Sequence, residues 1–340
     1  MHQFIAGLPK AELHVHLEGT LEPEHCLALA QRNGISLEHK TPESLIRSYD
    51  FCDLSSFLKV YYSGIRVLVT EQDFFELAFR YFQRAASDGV VYVEVFFDPQ
   101  AHTMRGIPFD VIIQGIHRAQ CEARTALGLE SNLIMCFLRD QSAESASEHL
   151  TMSMPFNDWI VGVGLDSDEK NNPPSKFAKV FSDARDQGYQ LTMHCDVNQV
   201  NTLDHIRECL DLIKVDRIDH GLNCLEDDQL CSALVERGIG LTICPVSNRF
   251  VVQSLTSDAI RSLLQKGVKV TVNSDDPAYF RAYINENLMA LIDEGGFTKE
   301  DIKRLMTNAF EIAWLPGRLK AKYLQQLEQY TAKYALTDCH

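Results

Sequence analysis

Two histidines, His14 and His16, sit one residue apart near the end of the apolar run Ala11-Glu12-Leu13-His14-Val15-His16-Leu17, and Glu18-Gly19-Thr20 follows at once. On a β-strand, the period of two sends both imidazoles to one side, which is how a rigid element offers two nitrogens to one metal ion. Twelve histidines in 340 residues give roughly 0.4 His-x-His pairs by chance, so the pair gains meaning only if other segments contribute ligands. His194 ends the run 189–196, His220 ends the run 215–220 just before Gly221, and Asp275 and Asp276 end the run that starts at Val268. Taken singly, each has an ordinary structural role: a strand-end histidine packs, and an aspartate before Pro277 caps a helix. Taken together, His14, His16, His194 and Asp275 supply nitrogen and oxygen ligands for a single divalent cation, with His220 as a further ligand or an acid–base group. Without a thiolate the set suits one zinc per chain, with iron or manganese as alternatives, and an open coordination position would acidify a water molecule into a nucleophile.

Such a site needs several strand ends at one place. Short β-branched runs recur at about 10–17, 90–97, 131–138, 160–166, 189–195, 215–220, 239–244 and 268–274, and amphipathic helical patterns fill spacers such as 109–127, 174–187, 199–213, 226–237 and 257–266. Eight βα units in one chain predict a (β/α)8 TIM barrel, whose chemistry gathers at the carboxyl ends of its strands. An open nucleotide-binding sheet would need a glycine-rich phosphate turn, and no G-x-G-x-x-G or Walker pattern occurs. The chain reads as one domain over 1–340. Its first connection, 18–89, carries helical stripes such as Leu54, Phe57, Leu58, Tyr61, Ile65 and Leu68, which suit barrel packing or a lid over the mouth. Residues 298–335 read as two terminal helices.

A formal charge of −15 disfavours a nucleic-acid surface, which depends on clustered Lys and Arg. No apolar run approaches the roughly 20 residues of a membrane span, and the start lacks a secretion pattern. Ten cysteines without a Cys-x-x-Cys pair fit buried thiols in a cytoplasmic protein. These features point to a small-molecule substrate, with no nucleic-acid or membrane partner, and leave the oligomeric state open.

Four segments carry a resemblance: Leu8–Thr20, Arg217-Ile218-Asp219-His220-Gly221, Cys244-Pro245-Val246-Ser247-Asn248 and Asn273-Ser274-Asp275-Asp276-Pro277. In this order they resemble the adenosine/adenine deaminase family of the amidohydrolase superfamily, over nearly the whole chain. The resemblance implies a zinc-dependent (β/α)8 aminohydrolase acting on a 6-aminopurine. His14, His16, His194 and Asp275 match the metal ligands, and His220 matches the histidine that orients or deprotonates the attacking water. Asp276 matches the aspartate at purine N7, and Ser167 falls where a glycine N–H meets N3. Glu18 resembles the base-specific adenine deaminase branch, since nucleoside-specific members tend to have aspartate there.

One position departs from the family. Its His-Ala-Gly-Glu motif carries the acid that protonates N1 three residues after the third histidine, whereas this chain reads His194-Cys195-Asp196-Val197. Either Asp196, on the same side as His194 if the strand continues, supplies the acid, or the chain binds purines without turning them over. The altered loop also leaves room for N6-substituted adenines, cytokinin-like or methylated, and hydrolysis of another C–N or ester bond is a further alternative. A second class of zinc deaminase uses His-x-Glu with a distant Pro-Cys-x-x-Cys, which this chain lacks.

Overall fold

The β-branched runs pair edge to edge in the order in which the chain makes them. In a computed structural model, which describes residues 1–51 and 53–337, the strands are β1 (Lys10–His16), β2 (Val90–Phe97), β3 (Glu130–Leu138), β4 (Ile160–Asp166), β5 (Gln190–Cys195), β6 (Arg217–His220), β7 (Gly240–Ile243) and β8 (Val270–Val272). All neighbours are parallel, from β1 through β8. A bridge between Val15 and Asp275 joins the last strand to the first: the His16 N–H donates to the Asp275 carbonyl at 2.9 Å and the Asp275 N–H to the His14 carbonyl at 3.1 Å. Below it, the Asn273 side chain accepts the Leu13 N–H at 2.8 Å and stands in for a ladder bond. The result is the (β/α)8 barrel that the spacing predicts.

Alternation along the strands decides what enters the barrel. Thr192 and His194 on β5, and Arg217 and Asp219 on β6, form inward rows joined by the hydrogen bond from the Thr192 hydroxyl to Asp219 Oδ2 at 2.6 Å. On β4 the inward positions are Gly162, Gly164 and Asp166, and a Cβ on Gly164 would sit 2.6 Å from Cys136 Sγ. Strand β1 does not alternate simply. Its register against β2 slips between Glu12 and Val15, so Glu12 turns outward to the Tyr81 hydroxyl (2.7 Å) while His14 and His16 point into the mouth.

The connection 18–89 folds into helices Pro23–Arg32, Pro42–Arg47, Leu54–Gly64 and Glu71–Ser87, and the tail into Lys299–Ile312 and Gly317–Thr337. Two predicted spacers are less regular than their patterns. Residues 174–187 begin as a 3₁₀ turn over Pro174–Phe177 after Pro173, and 199–213 changes from an α-helix over Thr202–Arg207 to a π-helix over Glu208–Ile213. No helix among the described residues is long and apolar enough to cross a membrane.

The helices Glu71–Ser87 and Phe109–Leu127 meet at Gly115, where an added Cβ would lie 2.4 Å from the Glu71 carbonyl oxygen and 2.9 Å from Phe74 Cβ. Gly115→Ala therefore costs about 1–3 kcal/mol through overpacking, more than the roughly 1 kcal/mol that alanine gains in helix propensity. Thermal unfolding should show a Tm lowered by a few degrees; an unchanged or higher Tm would show that the two helices part without cost.

Candidate active site

At the carboxyl end of the barrel, four donor atoms face one another. His14 Nε2 lies 3.1 Å from His194 Nε2 and 3.2 Å from Asp275 Oδ1, while His16 Nε2 lies 3.1 Å from His194 Nε2 and 3.4 Å from Asp275 Oδ1. His14 Nδ1 faces the Thr242 carbonyl at 3.2 Å and the Thr242 hydroxyl at 2.9 Å; a carbonyl only accepts, so Nδ1 carries the proton and Nε2 a bare lone pair. Beyond His16 Nδ1 stands Asp166 Oδ2 at 3.5 Å, and beyond His194 Nδ1 stands Asp219 Oδ2 at 3.6 Å, which favours the same tautomer in both rings. Bare nitrogens 3.1 Å apart cannot hydrogen-bond to each other. They fit a shared cation instead: ligand bonds of 2.0–2.1 Å make tetrahedron edges of about 3.3–3.4 Å.

Burial and the neighbouring imidazoles push His194 well below its ordinary pKa, and burial also lowers His14. Burial would raise Asp275, yet His14, His16 and His220 outweigh it and hold the carboxylate well below the usual range. Beneath them Asp219 accepts from the Thr192 and Thr242 hydroxyls, at 2.6 and 2.7 Å, so one carboxylate braces the threonine under His14 and faces His194.

His220 and Asp196 occupy one side of this group. By alternation His220 would face the outer helices with Ile218, but its φ of 59° breaks the alternation and brings its Nε2 to 3.3 Å from Asp196 Oδ1 and 3.7 Å from Asp275 Oδ2. Asp275 (φ 65°) and Ser167 (φ 74°) are likewise left-handed, a conformation that costs a non-glycine residue energy and that here re-aims side chains at the strand ends. Burial raises the Asp196 carboxyl to about 7 against the opposing pull of His220. The Asp196 N–H is held by Glu169 Oε2 at 2.8 Å, and Glu169 is fixed by His205 Nδ1 and faces Arg139.

A cavity of about 700 Å³, its open mouth included, joins these groups. Its polar side holds His16, His194, Asp196, His220, Asp275 and Asp276; its apolar wall includes Leu54, Phe57, Leu58, Val197, Phe250 and Phe280. Ser167 lines it beside Tyr62, whose hydroxyl donates to Ser167 Oγ at 2.9 Å. Asp276 Oδ1 is buried with no partner, and Gly19 packs so closely that a Cβ there would lie 2.1 Å from that oxygen. Glu18 differs from the other expected site residues. It lies behind the wall, where Oε1 meets His102 Nε2 at 2.9 Å and accepts the Asp98 N–H at 3.2 Å.

The sequence profile of the adenosine deaminase family matches residues 9–330. The chain belongs to the adenosine deaminase family. An uncharacterized deaminase of Schizosaccharomyces pombe is 48% identical over 335 residues, covering 98% of this chain and 99% of that protein. The crystal structure of an adenine deaminase from Arthrobacter aurescens is 39% identical with a TM-score of 0.92, covering 96% of this chain and 99% of that one. An amidohydrolase from Burkholderia ambifaria, solved with bound Zn, is 27% identical with a TM-score of 0.89, covering 98% and 94%.

Two residues of this adenosine deaminase family member escaped the sequence reading. Asp98 ends β2 in Phe97-Asp98-Pro99, the same strand-end Asp-Pro signal that Asp276-Pro277 gives after β8. Glu169 had no such signal, because its partners come from elsewhere in the chain, Arg139 just after β3 and His205 on the helix Thr202–Arg207.

Thr242 and Asp219 touch the histidines without joining the four donor atoms, so Thr242→Val or Asp219→Asn should weaken retention of a divalent metal by about 10–100-fold in competition with a chelator. Retention equal to wild type would show that the layer beneath the histidines does not orient them.

Proposed function

We propose that the protein is a metal-dependent aminohydrolase that converts adenine and water to hypoxanthine and ammonia, and releases an alkylamine when N6 is substituted. The observation that supports this reading most is that one cavity joins His16, His194 and Asp275, three of the four convergent donors with His14 buried behind them, to the His220–Asp196 pair and to the unpartnered Asp276. The three-nitrogen, one-oxygen donor set and the zinc-bound relative favour zinc over iron or manganese. A divalent cation held by those four residues supplies the acidity that makes water a nucleophile near neutral pH.

The chain's own groups do the rest. His220 orients the attacking water and takes its proton, being within reach of both Asp275 and Asp196. Addition at C6 pushes electrons onto the ring, and the Asp196 carboxyl delivers the proton that N1 then needs, in place of the glutamate whose position Val197 occupies. Asp276 meets N7 and the Ser167 N–H meets N3, which holds C6 over the reacting groups. His16 adds contact at the same edge, and Glu18 acts through Asp98 on the pocket's far end. Leu54, Leu58, Val197 and Phe250 give an N6-alkyl group an apolar surface, and the first connection, covering one wall, excludes water. A cytoplasmic location belongs to this reading, and the eight described cysteines are free thiols.

Metal-loaded protein should release ammonia from adenine, or an amine from N6-alkyladenines, and Asp196→Asn should lower kcat by about 10²–10⁴-fold, as for a lost general acid. Tight purine binding with no release from any 6-amino or 6-alkylamino purine would replace the enzyme by a binding protein; an unchanged kcat in the variant would move the acid role away from Asp196.

A further inference from the structure

On the far side of His16 from the convergent donors, the cavity ends in a second pair of carboxylates. Asp98 follows the inward row Glu94 and Phe96 of β2, and Asp166 ends the inward row of β4. With His16 they bring one ligand atom each within 4.8 Å of one another. Asp98 is 2% exposed and Asp166 3%, yet Asp98 Oδ1 and both oxygens of Asp166 have no hydrogen-bond partner. The donors around them are few: His16 Nδ1 lies 3.5 Å from Asp166 Oδ2, the Tyr61 hydroxyl lies 3.5 Å from Asp98 Oδ2, and the Cys136 thiol and a proton shared with Asp98 also bear on Asp166. These donors do not use the full acceptor capacity of two carboxylates, and buried acceptors are rarely left unmet, so a donor on whatever fills the cavity would find a partner here. A second cation does not supply the answer. His16 offers Nε2 to the first group, so its Nδ1 carries a proton and is no ligand atom.

We infer that Asp98 and Asp166 accept the N9–H of a free purine base, and thereby select bases over nucleosides. The inference rests on the proposed purine pose, with Asp276 at N7 and Ser167 at N3. In a purine, N3 and N9 are bonded to the same carbon, so the group next to the N3 contact faces N9; Asp166 is the residue immediately before Ser167. A free base presents a hydrogen on N9. A nucleoside has none there, so it leaves the carboxylates unpaired and drives its sugar against Tyr61 and Tyr62, which line the same cavity. Sites built around a buried hydrogen bond reject a ligand that lacks the donor by about 10⁴–10⁵-fold.

The test compares kcat/KM for adenine and 9-methyladenine, which differ in the N9 hydrogen, on the metal-loaded full chain and on Asp98→Ala and Asp166→Asn, with metal content measured on each. Wild type should prefer adenine by about 10⁴-fold. Per bound metal, the substitutions should lower turnover of adenine far more than that of 9-methyladenine, and Asp98→Ala should keep the wild-type metal content, whereas Asp166 also faces His16 Nδ1. Equal use of both compounds by the wild type overturns the inference and leaves deamination standing. So does an equal fall for both compounds with loss of metal, because the carboxylates would then only support His16. A protein that takes neither compound defeats the purine pose itself, and the inference with it. The wild-type comparison decides the matter even if both variants fail to fold.

Discussion

Three imidazole nitrogens and a carboxylate oxygen, buried at the base of one cavity with neighbours 3.1–3.4 Å apart, repel one another unless a positive charge sits between them. The fold holds them there against that repulsion. The bridge that closes the barrel lies between Val15 and Asp275, so the step joining β8 to β1 is also the one that sets Asp275 against His14 and His16. Fold and site share those hydrogen bonds. A change that loosens the closure would also move two of the four donors.

The layer below makes the arrangement rigid. Asp219 ties Thr192 to Thr242 across three adjacent strands, and the Thr242 carbonyl and hydroxyl fix the tautomer of His14. Arg217, Glu94 and Trp314 close the barrel beneath, where Arg217 is fully buried, paired with Glu94 and stacked 4.2 Å from the Trp314 ring centroid. Above, the strain at Ser167, His220 and Asp275 shows where regular strand geometry gives way to the needs of the mouth. Glu169 adds a separate brace: by holding the Asp196 N–H it keeps the loop after His194 turned toward His220.

Much of this was legible in the chain, and what was not has physical reasons. The eight strands and the tail helices followed from β-branched runs and apolar stripes, which report burial directly. The convergence of His14, His16, His194 and Asp275 followed from strand ends meeting at one barrel face. Alternation alone did not explain β1 or β6. A register slip in β1 re-aims His14 and His16, and a left-handed His220 reverses its own side; neither leaves a local mark in the residue pattern. Glu18 was expected at the substrate but lies behind Asp98, because its partner His102 comes from a segment more than eighty residues away. Asp98 carried a readable Asp-Pro signal, while Glu169 depends on long-range partners that no spacing reveals.

The cation therefore carries the account, and its coordination shell can be read without any assay of turnover. Absorption spectroscopy at the K-edge of the metal in protein purified without chelators should show nitrogen and oxygen neighbours alone, at about 2.0–2.1 Å, with three imidazoles. A sulfur neighbour near about 2.3 Å would place the metal instead with Cys244, which shares a possible donor group with His220 and Asp275. That result, or a protein with no bound metal, would contradict the account.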